Sequence, residues 1–360
     1  MKCVLKKLAA LVSALAVAAG AAGVEFRFYP YELKLKHAFN LASMSRTTTP
    51  GVQVSLSVDS LTGYGEASMP PYLGESVESV MAFLGRIDPQ RLADPFALEE
   101  IHAYMDSLAP GNRAAKAAVD IALHDLSGKM MGQPWHRIYG LDPADAPCTS
   151  YTISIDTPEE LARKLEESAP YSIIKVKMGV PGDRELIETI RRHTQKPLCV
   201  DVNQGWKSPD EALENIMWLA DKNVLFVEQP MAKTDMEGHA WLKARSPLPI
   251  IADEAVQTSA DVPALARAYD GINIKLMKCG GLHDAYKMAT LARALGMKVM
   301  VGCMTETSCA VSAAAQLAPL ADWVDLDGNL LIANDLFAGM RIVNGRVTLT
   351  SLPGIGVVVK

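Results

Sequence analysis

Five charged residues sit at the ends of short apolar runs in this chain. Lys177 closes Ile173-Ile-Lys-Val-Lys177, Asp201 closes Pro197-Leu-Cys-Val-Asp201 and Glu228 closes Val224-Leu-Phe-Val-Glu228. Asp253 closes Pro249-Ile-Ile-Ala-Asp253, and Lys275 follows Gly271-Ile-Asn-Ile274. The steps between the five are 24, 27, 25 and 22 residues. Three hard anionic oxygens with no His or Cys among them suit Mg²⁺, which favours carboxylate and water. A carboxylate alone at a loop is usually a solvated surface group; three at one edge in successive units point to a metal site holding one ion. Lys175 and Lys177 alternate along one run and so project to the same side. Lys275 comes from the far side of the carboxylates. A base on each face of a bound substrate is what 1,1-proton transfer at carbon needs, since one lysine removes the proton and the other returns one opposite.

Elements of a particular kind must hold those residues in place. One strand, one helix and two loops take about 20–30 residues, which matches the steps. Strand-like runs lie near 148–155, 172–178, 197–202, 224–228, 249–253, 271–276, 297–301 and 322–326. Helical runs lie between them, at 158–168, 182–193, 209–221, 236–245, 261–269, 281–295 and 307–318. Thr157 and Ser208, each followed by Pro, are helix N-cap signals. Strict alternation implies parallel strands with right-handed crossovers. Eight strands with seven helices predict an α/β fold: a modified (β/α)7β TIM-like barrel lacking its last helix. The strand ends that carry the five charges are where such a barrel builds its active site. Upstream, 25–66 alternates apolar and polar residues around the turn Asp59-Ser-Leu-Thr-Gly63, as an antiparallel meander does. Helical periodicity follows at 76–86, 97–108 and 112–130. The expected organisation is an α+β capping domain over 24–130 and the barrel over 131–328. A C-terminal segment, 329–360, has a hairpin turn at Asn344-Gly345 and returns to the capping domain.

Bulk composition excludes several classes. The chain has 360 residues, 49% of them hydrophobic and 21% charged, as ordered globular proteins do. A net charge of −6 with no basic stripe argues against nucleic-acid binding. Met1 to Lys7 is basic, and Leu8 to Gly23 is an apolar run of Leu, Ala, Val and Gly with one Ser. This pattern predicts a signal peptide over 1–23, which places the mature protein in the periplasm or outside the cell with no membrane anchor. The alternative is a start assigned too far upstream, and then a cytoplasmic protein. Of six cysteines, Cys3 lies in the leader; Cys148, Cys199, Cys279, Cys303 and Cys309 follow no disulfide or metal spacing and read as small core hydrophobes.

Lys175-Val-Lys177, Asp201-Val-Asn203, Glu228-Gln-Pro230, Asp253-Glu254 and Lys275 together resemble the enolase superfamily, in its muconate-lactonizing-enzyme-like subgroup. The resemblance runs over essentially everything after residue 24. It implies that Lys177 and Lys275 are the acid/base pair, that Asp201, Glu228 and Asp253 hold Mg²⁺, and that Lys175 gives electrostatic support near the substrate. Asp325-Leu-Asp327-Gly328, at the end of the eighth strand, looks like the Asp-x-Asp motif of dipeptide epimerases. Those carboxylates would hold a substrate α-ammonium by charge-assisted hydrogen bonds. On its own, Asp-x-Asp-Gly is also a common turn. Arg46, in Ser45-Arg46-Thr47 on a loop of the capping domain, corresponds to the Arg that binds the Glu side chain in L-Ala-D/L-Glu epimerases. The resemblance thus implies a Mg²⁺-dependent dipeptide epimerase, acting on the C-terminal residue of a dipeptide such as L-Ala-D/L-Glu, with a place in murein peptide metabolism. Rival readings are other reactions of the superfamily (N-acylamino-acid racemisation, o-succinylbenzoate synthesis, cycloisomerisation) and an exported dipeptide-binding protein without catalysis. The oligomeric state is left open, a homo-oligomer included.

Overall fold

The computed structural model describes residues 16–19, 23–41, 44–70, 73–153 and 158–360. The signal-peptide reading of 1–23 and the cap at Thr157 lie outside the described residues, apart from backbone at 16–19 and Gly23.

The first layer is an antiparallel sheet in the order β1 (Ala16–Ala19), β2 (Val24–Leu41), β3 (Met44–Val58), β4 (Leu61–Ser68). Alternation buries Phe26, Phe28, Val52, Val54 and Leu56 on one face. Three helices follow: α1 (Val77–Leu84), α2 (Leu98–Leu108) and α3 (Arg113–Met131). The Ala-rich α3 lies flush on β4, and all its residues from Ala114 to Gly128 are buried. Only glycine permits that approach. A Cβ on Gly63 or Gly65 would collide with the carbonyl oxygen of Ala122 or Ala118.

Apolar alternation marks strands around 25–29 and 52–58 and leaves Arg46 on a loop, whereas β2 and β3 run on as a long paired hairpin that includes Arg46. Pro30, Pro50 and the polar Thr47-Thr-Thr49 break the apolar alternation there. Pairing to the neighbouring strand holds these residues extended instead.

The second layer is an eight-stranded parallel sheet in sequence order: β5 (Ser150–Ile153), β6 (Ile173–Lys177), β7 (Leu198–Asp201), β8 (Val224–Glu228), β9 (Ile250–Ala252), β10 (Gly271–Ile274), β11 (Lys298–Gly302) and β12 (Trp323–Asp325). A parallel bridge from Thr149 to Val324 brings the last strand back to the first, which closes the barrel. Between the strands run α4 (Pro158–Glu167), α5 (Asp183–His193), α6 (Pro209–Ala220), α7 (Met236–Lys243), α8 (Val262–Leu265), α9 (Leu276–Cys279) with α10 (Leu282–Ala294), and α11 (Ser308–Ala315). Ser208 caps α6 by accepting from Glu211 N at 3.2 Å, ahead of Pro209 at its first position. The helix expected over 261–269 is a single turn, and Lys243 Nζ takes the Ala266 and Tyr269 carbonyls beyond it. After β12 the chain forms a short 3-10 turn (Gly328–Leu331) where an eighth helix would stand. This is the modified barrel with a separate capping sheet.

The tail pairs Arg341–Val343 with Arg346–Thr348 through Asn344 (φ 51°) and Gly345 (φ 77°), both left-handed as a two-residue hairpin requires. It also touches the first layer: Ile355 N donates to Asp125 Oδ1 at 3.1 Å, and Ala333 N donates to Lys34 O at 2.8 Å. Among the described residues no helix is long and apolar enough to cross a membrane, and Cys148, Cys199, Cys279, Cys303 and Cys309 are all free.

Candidate active site

The parallel register sets the first three groups side by side. Lys177 on β6 pairs with Asp201 on β7, and Asp201 pairs with Glu228 on β8. Asp253 and Lys275 each follow the last residue of their strand. One carboxylate oxygen from each of Asp201, Glu228 and Asp253 lies within 4.8 Å of the others, and all three residues are buried. Lys177 Nζ is 2.6 Å from Asp201 Oδ2 at one side of the trio. Lys275 Nζ is 2.7 Å from Asp253 Oδ2 at the other. Gly302 on β11 leaves Lys275 its space, since a Cβ there would lie 3.2 Å from the lysine Cε and 2.7 Å from Asn273 Oδ1.

Lys175 sits beneath this surface and is 1% exposed, so its ammonium depends wholly on partners. Its Nζ lies 3.2 Å from Asp201 Oδ2, 2.8 Å from Glu228 Oε2 and 2.8 Å from Asp325 Oδ2. Burial pulls its pKa down, but those three carboxylates outweigh it and hold the group well above the ordinary lysine value. It stays charged. Burial pushes the carboxylates up, and the lysines oppose it unequally. Lys177 and Lys175 bring Asp201 down to about 2, while Asp253 is held well below the usual range by Lys275 and Lys278. Glu228 is pushed up to about 7 by burial and by Asp201, more than Lys175 can offset. Crowded, desolvated carboxylates that cannot all ionise easily fit a divalent cation, whose charge would relieve the repulsion.

Several bracing residues escaped the sequence reading. Lys278 is buried; its Nζ donates to Asp253 O at 2.6 Å, to Asp253 Oδ1 and to Asn273 O at 3.0 Å. Asn273 Nδ2 donates to Glu228 Oε1 at 2.7 Å. Gln229 Oε1 accepts from Asp253 N and Ala255 N at 3.1 and 3.0 Å, so it fixes the turn that presents Asp253. Gln229, Asn203 and Gln204 all have positive φ (37°, 46° and 67°), where the chain leaves strands next to the trio. Gln229 and Asn203 stand inside the motifs Glu228-Gln-Pro230 and Asp201-Val-Asn203 without a role attached, and Lys278 looks in sequence like any surface lysine.

Asp325 and Asp327 lie beside the trio. Asp325 is not a free carboxylate at the mouth: Ser150 Oγ donates to its Oδ1 at 2.7 Å and Lys175 takes its Oδ2. Despite burial, Lys175 and Ser150 hold it below its ordinary pKa. Asp327 is supported by Thr152, whose N donates to its Oδ2 at 3.3 Å and whose side chain also bonds it, and by the more distant Lys175 charge. Burial and the Asp325 charge push it up to about 7. A further cation beside Asp327 would favour its ionised form. Arg46 reaches the barrel from β3: its Nη2 donates to Thr305 Oγ1 at 3.1 Å, on the loop after β11. The structure thus brings the two strand lysines, the trio, Lys275 and Asp325 into one network, with Asp327 at its edge and Arg46 approaching from the capping layer.

Residues 25–140 match the model of the mandelate racemase / muconate lactonizing enzyme N-terminal domain, and residues 157–360 match the enolase C-terminal domain-like model. The chain is 57% identical over 335 residues to an L-Ala-D/L-Glu epimerase of Bacteroides thetaiotaomicron, covering 93% of this chain and 88% of that protein. It superposes on the substrate-liganded L-Ala-D/L-Glu epimerase of Bacillus subtilis with a TM-score of 0.87 at 30% identity, over 94% of this chain and 99% of that one. It matches the dipeptide epimerase of Enterococcus faecalis, solved with Mg and the dipeptide L-Leu-L-Tyr, with a TM-score of 0.86 at 30% identity, over 93% of this chain and 99% of that one. Barrel, capping layer, carboxylate trio and these matches agree: the chain belongs to the mandelate racemase / muconate lactonizing enzyme family of the enolase superfamily.

Proposed function

We propose that this protein is a Mg²⁺-dependent dipeptide epimerase that inverts the α-carbon of the C-terminal residue, with L-Ala-D/L-Glu as the preferred substrate. The observation that carries the reading is the pair of lysines, Lys177 and Lys275, placed at opposite sides of one buried carboxylate trio with the Asp325–Asp327 pair beside it. Asp201, Glu228 and Asp253 would hold Mg²⁺, which supplies Lewis acidity that eases negative charge on the substrate carboxylate as the α-proton leaves. Lys177 Nζ takes or returns the proton on one face and Lys275 Nζ does so on the other. Lys175, held charged by three carboxylates, supplies fixed positive potential near the developing charge. Asp327, beside Asp325, accepts the substrate α-ammonium, whose charge would offset the burial and the Asp325 repulsion that Thr152 and Lys175 only partly oppose. Arg46 pairs with the side-chain carboxylate of the second residue.

In this reading residues 24–130 form the cap, 131–328 the catalytic barrel and 329–360 the return to the cap. A leader over 1–23 would send the enzyme out of the cytoplasm, where peptides released from murein are available. The test is kcat/KM for L-Ala-L-Glu and for its N-acetyl derivative. The free dipeptide should be favoured by at least about tenfold, the scale of one lost charged hydrogen bond. Equal turnover of both would replace the ammonium site with an N-acylamino-acid racemase reading.

A further inference from the structure

The hairpin that delivers Arg46 is irregular just before it does so. β2 and β3 pair without a break up to Lys34 opposite Thr48; the next pair is Phe39 opposite Arg46. Four residues of β2 therefore face one residue of β3, so the ladder is interrupted there as at a bulge. The last regular rung is clamped from outside by Ile332, Ala333 and Asn334. Leu35 bridges to Ile332, and Ala333 N donates to Lys34 O at 2.8 Å. The Asn334 side chain completes the clamp: its Oδ1 accepts from Lys34 N and its Nδ2 donates to Glu32 O, both at 2.8 Å. Tyr31 Oη donates to the Asn334 carbonyl. Asn334 thus supplies one acceptor and one donor to an edge that, among the described residues, pairs with no further strand at that point. Thr48, opposite the clamped residue, is two residues from Arg46, or about 7 Å along a strand.

Arg46 is also fixed at its far end. Thr305 Oγ1 accepts from it, and the Thr305 carbonyl accepts from Ser68 Oγ at 2.6 Å. The strand that carries Arg46 is thus tied through β2 to the Asn334 clamp, and the guanidinium itself reaches Thr305. The clamp belongs to the segment that carries Asp325 and Asp327, and a single 3-10 turn separates Asp327 from Ile332.

We infer that Asn334 is a positioning residue for Arg46, and that it sets the preference for an acidic second residue in the dipeptide. The inference rests on the assignment of Arg46 given above. Asn334 touches neither substrate nor metal in this account; it holds the rung from which the Arg46 strand departs. A bidentate fork tolerates only small displacements, so loosening the rung should cost the acidic substrate and spare a neutral one.

The experiment compares kcat/KM for L-Ala-L-Glu and the near-isosteric L-Ala-L-Gln in the full-length wild type, Asn334→Ala, Asn334→Asp and Arg46→Ala. Loss of two hydrogen bonds should lower the Glu/Gln preference of Asn334→Ala by about tenfold, through KM for the Glu substrate, with L-Ala-L-Gln within about twofold of wild type. Asn334→Asp keeps the acceptor for Lys34 N and should lose about threefold; it carries the test should the alanine variant fail to fold. Combining Asn334→Ala with Arg46→Ala should add nothing to the loss from Arg46→Ala alone. If Arg46→Ala abolishes the preference while both Asn334 variants keep it, the positioning role is wrong and the Arg46 reading stands. If the Asn334 variants lower both substrates equally, the residue serves the fold alone. If Arg46→Ala leaves the preference intact, both assignments fall.

Discussion

Replacing Lys275 with Ala separates the two proton transfers. In the structure Lys275 holds Asp253 Oδ2 at 2.7 Å, while Lys278 independently holds Asp253 Oδ1 and the Asp253 carbonyl. Removing Lys275 thus leaves Asp253 with a buried cationic partner, and the variant should avoid the ~3–5 kcal/mol cost of an orphaned buried charge. Lys177, on the far side of the trio next to Asp201, is untouched. Epimerisation needs both lysines and should fall by at least the ~10²–10⁴-fold expected for one acid/base group. Exchange need not fall equally. In D₂O, Lys177 can still take the α-proton of the diastereomer it faces and return deuterium to the same face. Lys275→Ala should therefore label one of L-Ala-L-Glu and L-Ala-D-Glu without inverting it, and Lys177→Ala should label the other. NMR of the glutamyl α-proton measures exchange, and a chiral separation measures inversion. Near-normal epimerisation by either variant, or labelling of the same diastereomer by both, would refute the two-base account.

Asp201→Asn should weaken Mg²⁺ binding, read by calorimetry, and abolish epimerisation together, because it removes one anionic ligand of three; turnover surviving exhaustive chelation by EDTA would contradict a metal role. Glu66 offers a pH test away from the trio. It is fully buried, accepts from Thr307 N at 3.0 Å and from Ala310 N at 3.5 Å at the start of α11, and burial pushes it up to about 7 despite those donors. The folded state thus binds this proton more tightly than the unfolded chain does, so stability is fully present below about pH 4.5 and is lost as pH rises through about 7. The shift corresponds to roughly 3 kcal/mol at most, and Glu66→Gln should gain stability relative to wild type between pH 5 and 8 in urea melts; a pH-independent difference would show that burial does not hold the proton. Protein taken from its native cell should begin between about Gly20 and Glu25, small-residue cleavage following the apolar run. An intact leader in the cytoplasm would favour a misplaced start instead.

The barrel was legible because its signals are local and repeated. Most of the eight strands are short apolar runs, and five in succession place a charged residue at or just past the end, so the buried carboxylate trio and the lysines beside it could be read off. The hairpin was not legible between Pro30 and Thr49, because pairing there overrides a composition that suggests loop, and Arg46 changed from loop residue to strand residue as a result. The braces were hidden for a different reason. Lys278, Asn273, Gln229 and Ser150 matter through partners 25, 45, 24 and 175 residues away, and neither pattern nor propensity reports such contacts. The likeness to dipeptide epimerases gave Asp325 and Asp327 one shared role, and their different surroundings were not visible in the sequence. Packing joins Asp325 to Lys175 and Ser150, while burial and the Asp325 charge push Asp327 up to about 7.

The most direct measurement follows the unmodified protein with Mg²⁺ and L-Ala-L-Glu in D₂O. The account predicts L-Ala-D-Glu as product, deuterium at the glutamyl α-carbon of both diastereomers and none at the alanyl α-carbon. No exchange at the glutamyl position, across this dipeptide and a panel with neutral second residues, would contradict it.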